Sequence, residues 1–97
     1  MNLIILKTAQ SEIADAVEYY NHQLPGLGIR FFQEVDAAIE RILLLPNAWT
    51  KIGNKTRRCL IKGYPYALHY IVESDNVVVT ALAHLHRDPV HYNDRIL

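Results

Sequence analysis

Between Ala9 and Leu24 the apolar residues Ile13, Val17, Tyr20 and Leu24 recur at spacings of four, three and four. That period places them on one face of a helix and turns Glu12, Asp15 and Glu18 to water. Pro25-Gly26-Leu27-Gly28 interrupts the pattern. A second helical pattern runs from about Gly28 to Leu45, with Phe32, Val35, Ile39, Ile42 and Leu43 as its apolar stripe, and Pro46 ends it. So short a break predicts an antiparallel helical hairpin. Ahead of it, Asn2 to Lys7 is apolar and β-rich and reads as a strand, with Thr8 placed to cap the first helix.

After a loop from Asn47 to Lys55 the period shortens to that of strands. Arg57 to Lys62, Tyr66 to Glu73 and Val77 to His84 each read as one. Ser74-Asp75-Asn76 supplies tight-turn chemistry between the last two, and Gly63 and Pro65 punctuate the other connection. The order β-α-α-β-β-β predicts an α+β fold, a mostly antiparallel sheet with the helical hairpin packed on one face. The tail from Asp88 to Leu97 is expected to form one helical turn or to pair with the sheet. Strict alternation puts Val77, Val79, Ala81, Ala83 and Leu85 on one face of the last strand, and Val78, Thr80, Leu82, His84 and His86 on the other. On that reading the strand ends gather Arg57 or Arg58, His69, His84 and His86 on a single polar surface.

Length and charge narrow the function. The 97 residues make one domain, 1–97, and an apolar fraction of 51% is high for so small a core, so part of the apolar surface is expected to face a partner. Net charge is zero, yet residues 1–50 carry three basic and six acidic groups, against seven and four in residues 51–97. Lys51, Lys55, Arg57, Arg58 and Lys62 form a basic run with no acid among them, suited to an acidic peptide or a phosphate backbone. A neutral molecule is a poor dedicated nucleic-acid binder, and no sequence-specific DNA binding is expected from this chain alone. The single Cys59 excludes an internal disulfide and suits a reducing compartment. The Leu3-Ile4-Ile5-Leu6 run is too short for a signal segment and no stretch is long enough to span a membrane, so a cytoplasmic location is expected.

The richest chemistry lies between Ala81 and Arg95, where His84, His86, His91, Arg87, Arg95 and Tyr92 crowd together. His84-x-His86 with His91 offers imidazole nitrogens to a metal, but no recognised spacing completes the set, and no metal site is assigned. Metal-independent RNA cleavage needs a base, an acid and cations for the phosphate. His86 or His84, Tyr92, and Arg87 with Arg57 or Arg58 have the chemistry for those roles. Against this stands a purely structural reading, with the arginines paired to Asp88 and Asp94, Tyr92 completing the core and the histidines solvated. Tyr19, Tyr20, Tyr64 and Tyr66 are expected to finish the core, Trp49 to plug a loop, Cys59 to be a buried thiol, and Gly26 and Gly28 to serve the turn.

Taken in order, Glu18-Tyr19-Tyr20, Gly26-Leu27-Gly28-x-Arg30-Phe31, Ile42 to Pro46 with Trp49, Arg57-Arg58, Tyr64-Pro65-Tyr66 with Tyr70, and Ala83-His84-x-x-Arg87-x-Pro89 with Tyr92 and Arg95 resemble the RelE/ParE toxin superfamily. The resemblance spans almost the whole chain and implies a toxin of a type II toxin–antitoxin system. One branch cleaves mRNA on the ribosome with strand basic residues and a C-terminal Arg and Tyr. The other is associated with poisoning DNA gyrase. Tyr92 resembles the tyrosine of the ribonuclease branch, with His86 or Arg87 standing for its arginine. Ala67, however, occupies the place of that branch's strand arginine. The Tyr64-Pro65-Tyr66 and His84-x-x-Arg87-x-Pro89 segments resemble the ParE-like side. The resemblance thus implies a ParE-like toxin that binds DNA gyrase, needs no cofactor and is neutralised by an antitoxin that folds on binding. Arg57, Arg58, Lys62, His84, Arg87 and Arg95 are its expected target- or antitoxin-binding residues. The alternatives are a ribosome-dependent endoribonuclease using His86, Arg87 and Tyr92, or an inactive member that only binds antitoxin and represses the operon.

Overall fold

The computed structural model describes residues 1–86. Its elements are β1 (Asn2–Ile5), α1 (Lys7–Gln23), α2 (Leu27–Leu44), β2 (Thr50–Lys51), β3 (Arg57–Leu60), β4 (Tyr66–Glu73) and β5 (Asn76–His84). The five strands form one sheet in the order β1-β5-β4-β3-β2. All neighbours are antiparallel except β1 and β5, which pair in parallel, and the helical hairpin carries the chain from β1 at one edge to β2 at the other. The α+β architecture therefore stands, with a two-residue strand β2 added in the stretch expected to be loop.

The helices bury themselves through narrower stripes than the expected ones. In α1 the buried residues are Ala9, Ile13 and Ala16, and Leu24 caps the C-terminus with its side chain exposed. Leu6, not Thr8, is the N-cap, and Gln10 Nε2 donates to the Ile5 carbonyl at 2.8 Å in place of a side-chain cap. In α2 the buried set is Phe31, Val35, Ala38, Ile39 and Ile42, so Phe31 occupies the place expected for Phe32, which is 51% exposed. Two adjacent phenylalanines differ by about 100° around a helix, and only one can face the sheet.

Gly28 is part of α2 rather than of the turn. Its N–H donates to Asn21 Oδ1 at 2.8 Å, and a Cβ there would fall on the Val17 carbonyl and the Asn21 side chain. The glycine thus sets how closely the two helices approach. Gly26 supplies the left-handed N-cap with φ 89°.

The core lies between the hairpin and one sheet face, where Cys59, Leu68, Tyr70, Val77, Val79 and Leu82 meet Ile13, Phe31, Val35 and Ile42. The fully buried Tyr70 closes it, its hydroxyl donating to the Pro46 carbonyl at 2.6 Å and tying the end of α2 to the sheet. At the β4–β5 turn the left-handed residue is Ser74 (φ 52°), the first of the three turn residues Ser74-Asp75-Asn76.

Candidate functional site

One departure from ideal alternation decides where the candidate side chains point. Val77 and Val79 of β5 lie opposite Val72 and Tyr70, whereas Ala81, Leu82 and His84 lie opposite His69, Leu68 and Tyr66. Thr80 is the extra residue, a β-bulge between the His69 and Tyr70 positions. Beyond it the strand changes phase. Val77, Val79, Leu82 and His84 all face the helices, and Ala81 and Ala83 face the opposite side. The buried Thr80 hydroxyl donates to the His69 carbonyl at 3.4 Å, giving the bulge a bond of its own.

The bulge separates residues that the sequence suggested would converge. His84 sits against Tyr66 on the helix side, ring centroids 5.0 Å apart, and His86 follows it at 5.3 Å. The His86 N–H also donates to His84 Nδ1 at 3.2 Å. Arg58 and His69 lie opposite one another on the other face, in the row that continues to Ala81. Arg57 does face the helix side, but it pairs with Tyr70, four residues along β4 from the Tyr66 that faces His84. Four strand residues are about 13 Å. The expected single surface of Arg57 or Arg58, His69, His84 and His86 does not form. Arg87, Tyr92 and Arg95 lie outside the described residues, as do His91 and the tail.

What does assemble is a basic groove of about 680 Å³ along the outer side of β3, lined by Arg41, Trp49, Arg58, Leu60 and Lys62 among others. Three hydrogen bonds build its wall. Arg41 Nη2 donates to the Leu60 carbonyl (3.2 Å), Trp49 Nε1 to the Arg41 carbonyl (3.3 Å), and Arg57 Nη1 to the Trp49 carbonyl (2.8 Å). Arg57 is thereby a strut of the wall, while Arg58, Lys62 and the half-exposed Leu60 face solvent. Arg41 escaped the sequence reading because it belongs to α2 and reaches the groove only through the fold. Beneath the groove Cys59 is buried, and burial raises its thiol pKa despite the nearby Arg41 guanidinium. A thiol so placed is a core group rather than a nucleophile.

A second groove, about 490 Å³, runs between α1 and the end of β5, past Glu12, Asp15, Tyr19, Tyr20, Tyr66 and His84. Beyond Val79 the strand β5 has outrun β1, and Glu12 Oε1 accepts the Leu82 N–H at 3.1 Å in place of a neighbouring strand. Burial, followed by the neighbouring tyrosines, raises the pKa of Tyr20. Among the described residues no group of three or more His, Cys, Asp or Glu side chains is arranged to hold a metal ion, and no helix is long and apolar enough to cross a membrane.

A family model described as "ParE toxin of type II toxin-antitoxin system, parDE" matches residues 3–89, nearly the whole chain. The chain belongs to the ParE toxin family. Its fold is similar to a solved structure described as "Chromosomal ParDE TA system from P. aeruginosa", with a TM-score of 0.79 at 11% identity, covering 89% of this chain and 97% of that one. No curated protein matches the sequence.

Within this ParE-family toxin, many residues that carried the resemblance prove to be architectural. Tyr20, Phe31, Tyr64 and Tyr66 form one aromatic cluster, with Tyr20–Phe31, Tyr20–Tyr64 and Phe31–Tyr64 centroids each 5.0 Å apart and Phe31–Tyr66 at 5.4 Å. Most of these contacts are edge-to-face or tilted, the geometry that ring quadrupoles favour. Gly28 and Trp49 likewise hold elements together. Arg58, Lys62 and His86 remain as exposed candidates among the described residues, with His84 partly buried against Tyr66.

Proposed function

We propose that this ParE-family toxin arrests growth by binding DNA gyrase in the cytoplasm, without cleaving RNA, and that a cognate antitoxin neutralises it by folding onto the basic groove. The observation that supports the gyrase reading is the placement of Arg58 and His84 on opposite faces of the sheet. General acid–base cleavage of RNA requires proton-transfer groups and cations converging on one phosphate. Here the bulge at Thr80 sends His84 and its neighbour His86 to the helix side, away from Arg58 and His69. Beside that pair, the row Leu60–Ala67–Ala83 offers only aliphatic groups. Among the described residues proton-transfer groups and cations do not converge, and this favours action by contact.

The antitoxin reading rests on charge and apolar exposure together. Arg41, Arg58 and Lys62 surround the exposed Leu60, so an acidic segment with apolar anchors is complementary to the groove. Arg58, Lys62 and His84 are the described residues assigned to partner contact, and Arg87 and Arg95 remain assigned from sequence.

Expression of the protein without its antitoxin should arrest growth with loss of negative supercoiling in a reporter plasmid, and co-expression of the antitoxin should restore both. Arrest with intact supercoiling and cleaved transcripts would overturn the proposal in favour of ribosome-dependent cleavage. Absence of arrest would instead indicate a member that acts only through its antitoxin.

A further inference from the structure

The groove between α1 and the end of β5 has a composition that neither gyrase inhibition nor the basic groove calls for. One wall carries two carboxylates, Glu12 and the exposed Asp15, one helical turn of each other on α1. The same helix also brings Tyr19 and Tyr20 to the lining, and Tyr66 of β4 completes an aromatic set. The rings are held nearly perpendicular, Tyr19–Tyr20 at 5.2 Å and 77° and Tyr20–Tyr66 at 6.4 Å and 73°. Such a set presents ring faces in more than one direction around a single space.

We infer that this groove is a recognition site for an arginine side chain presented by a basic segment of a protein partner. Ring faces attract cations through the aromatic quadrupole, and a planar guanidinium stacks on tyrosine while its N–H groups reach the exposed Asp15 carboxylate at the rim. Tyr19 is 56% exposed, an arrangement that leaves its ring available to a ligand rather than to the core. Its neighbour Tyr20 is held by Phe31 and Tyr64, so the site has a rigid back and an accessible front. Asp15 supplies the exposed carboxylate of the site, beside a Glu12 held on the Leu82 N–H. Among the groove's described lining residues are two acids and no Lys or Arg, which favours a cationic visitor. This site lies on the helix side of the molecule and asks for charge opposite to that sought by the groove at β3. A partner that occupies both would therefore need an acidic and a basic stretch. The inference is independent of which cellular target the toxin binds.

The test is an NMR titration of the full chain with N-acetyl-L-arginine methylamide, against the glutamine analogue as a neutral control. Saturable shifts confined to the amides of Asp15, Tyr19, Tyr20 and Leu82 are expected with the arginine probe alone. Tyr19→Leu and Asp15→Asn should each weaken binding by about threefold or more, the scale of an exposed cation–π contact. Asp36→Asn, which removes the same charge from an exposed position on α2, should leave affinity unchanged. Equal shifts with the glutamine analogue, no saturable shifts, or equal losses in all three variants would overturn the inference.

Discussion

The Thr80 hydroxyl donates to the carbonyl of His69 at 3.4 Å, at the point where β5 carries one residue more than β4. This single bond marks the place where the last strand changes phase. Up to Val79 the odd-numbered residues face the helices, and from Leu82 onward the even-numbered ones do. The destination of His84, and so the absence of a convergent Arg58–His84 pair, follows from it.

Replacing Thr80 with valine keeps the shape and removes the donor. We expect a loss of about 1 kcal/mol of stability, the ordinary worth of one buried hydrogen bond. Urea denaturation measures it, and the His84 ring resonances should shift because the bulge holds that residue against Tyr66.

Gly28→Ala should destabilise the protein by about 1–3 kcal/mol, because the new methyl meets backbone as well as the Asn21 side chain. A thermal melt reports it. Gly26→Ala tests a different cost, since open space surrounds that position and the strain is only that of a left-handed backbone.

Tyr70 gives the fold an alkaline limit. Burial pushes its phenol up from 10.0 to about 12. Because the folded state holds the proton more tightly, the associated stability is fully present below about pH 10 and is lost as pH rises towards 12. Unfolding free energy should therefore fall across that window in the parent protein, and Tyr70→Phe should flatten this part of the profile. At neutral pH the same variant should cost about 1 kcal/mol through the lost bond to Pro46.

Much of this architecture is legible in the sequence because two clear periods dominate it. The Pro25–Gly28 break, the stop at Pro46 and the alternating stretches place both helices, and β4 runs from Tyr66 to Glu73 as expected. The phase of β5 is not legible, for Val77-Val78-Val79-Thr80-Ala81-Leu82-Ala83 is apolar on both faces apart from Thr80, and a single β-branched threonine is too ordinary in a strand to mark an extra position. The choice of Phe31 over Phe32 is hidden for a similar reason, since either residue satisfies an apolar stripe and only the crossing at Gly28 selects between them. β2 is too short to carry any period, at two residues.

The candidate site was harder to see than the fold. Arg58 and Lys62 were legible as part of a basic run, and they do line one groove. Arg41 and the Glu12–Asp15–Tyr19 wall come from helix faces that look merely solvated in sequence. Arg57 stands out in the sequence for its charge, yet its guanidinium holds the Trp49 loop in place. Arg57→Ala should accordingly lower stability by about 1–2 kcal/mol before it alters any partner affinity, a distinction that a melt and a binding isotherm on the same sample can make.

Contact-based gyrase inhibition is tested most directly by running two assays with one preparation of purified toxin, plasmid supercoiling by gyrase and protein synthesis in a reconstituted translation system. The account predicts that supercoiling stops, or that cleaved DNA accumulates, at toxin concentrations that leave translation and its mRNA intact. Unimpaired supercoiling together with cut mRNA would contradict it.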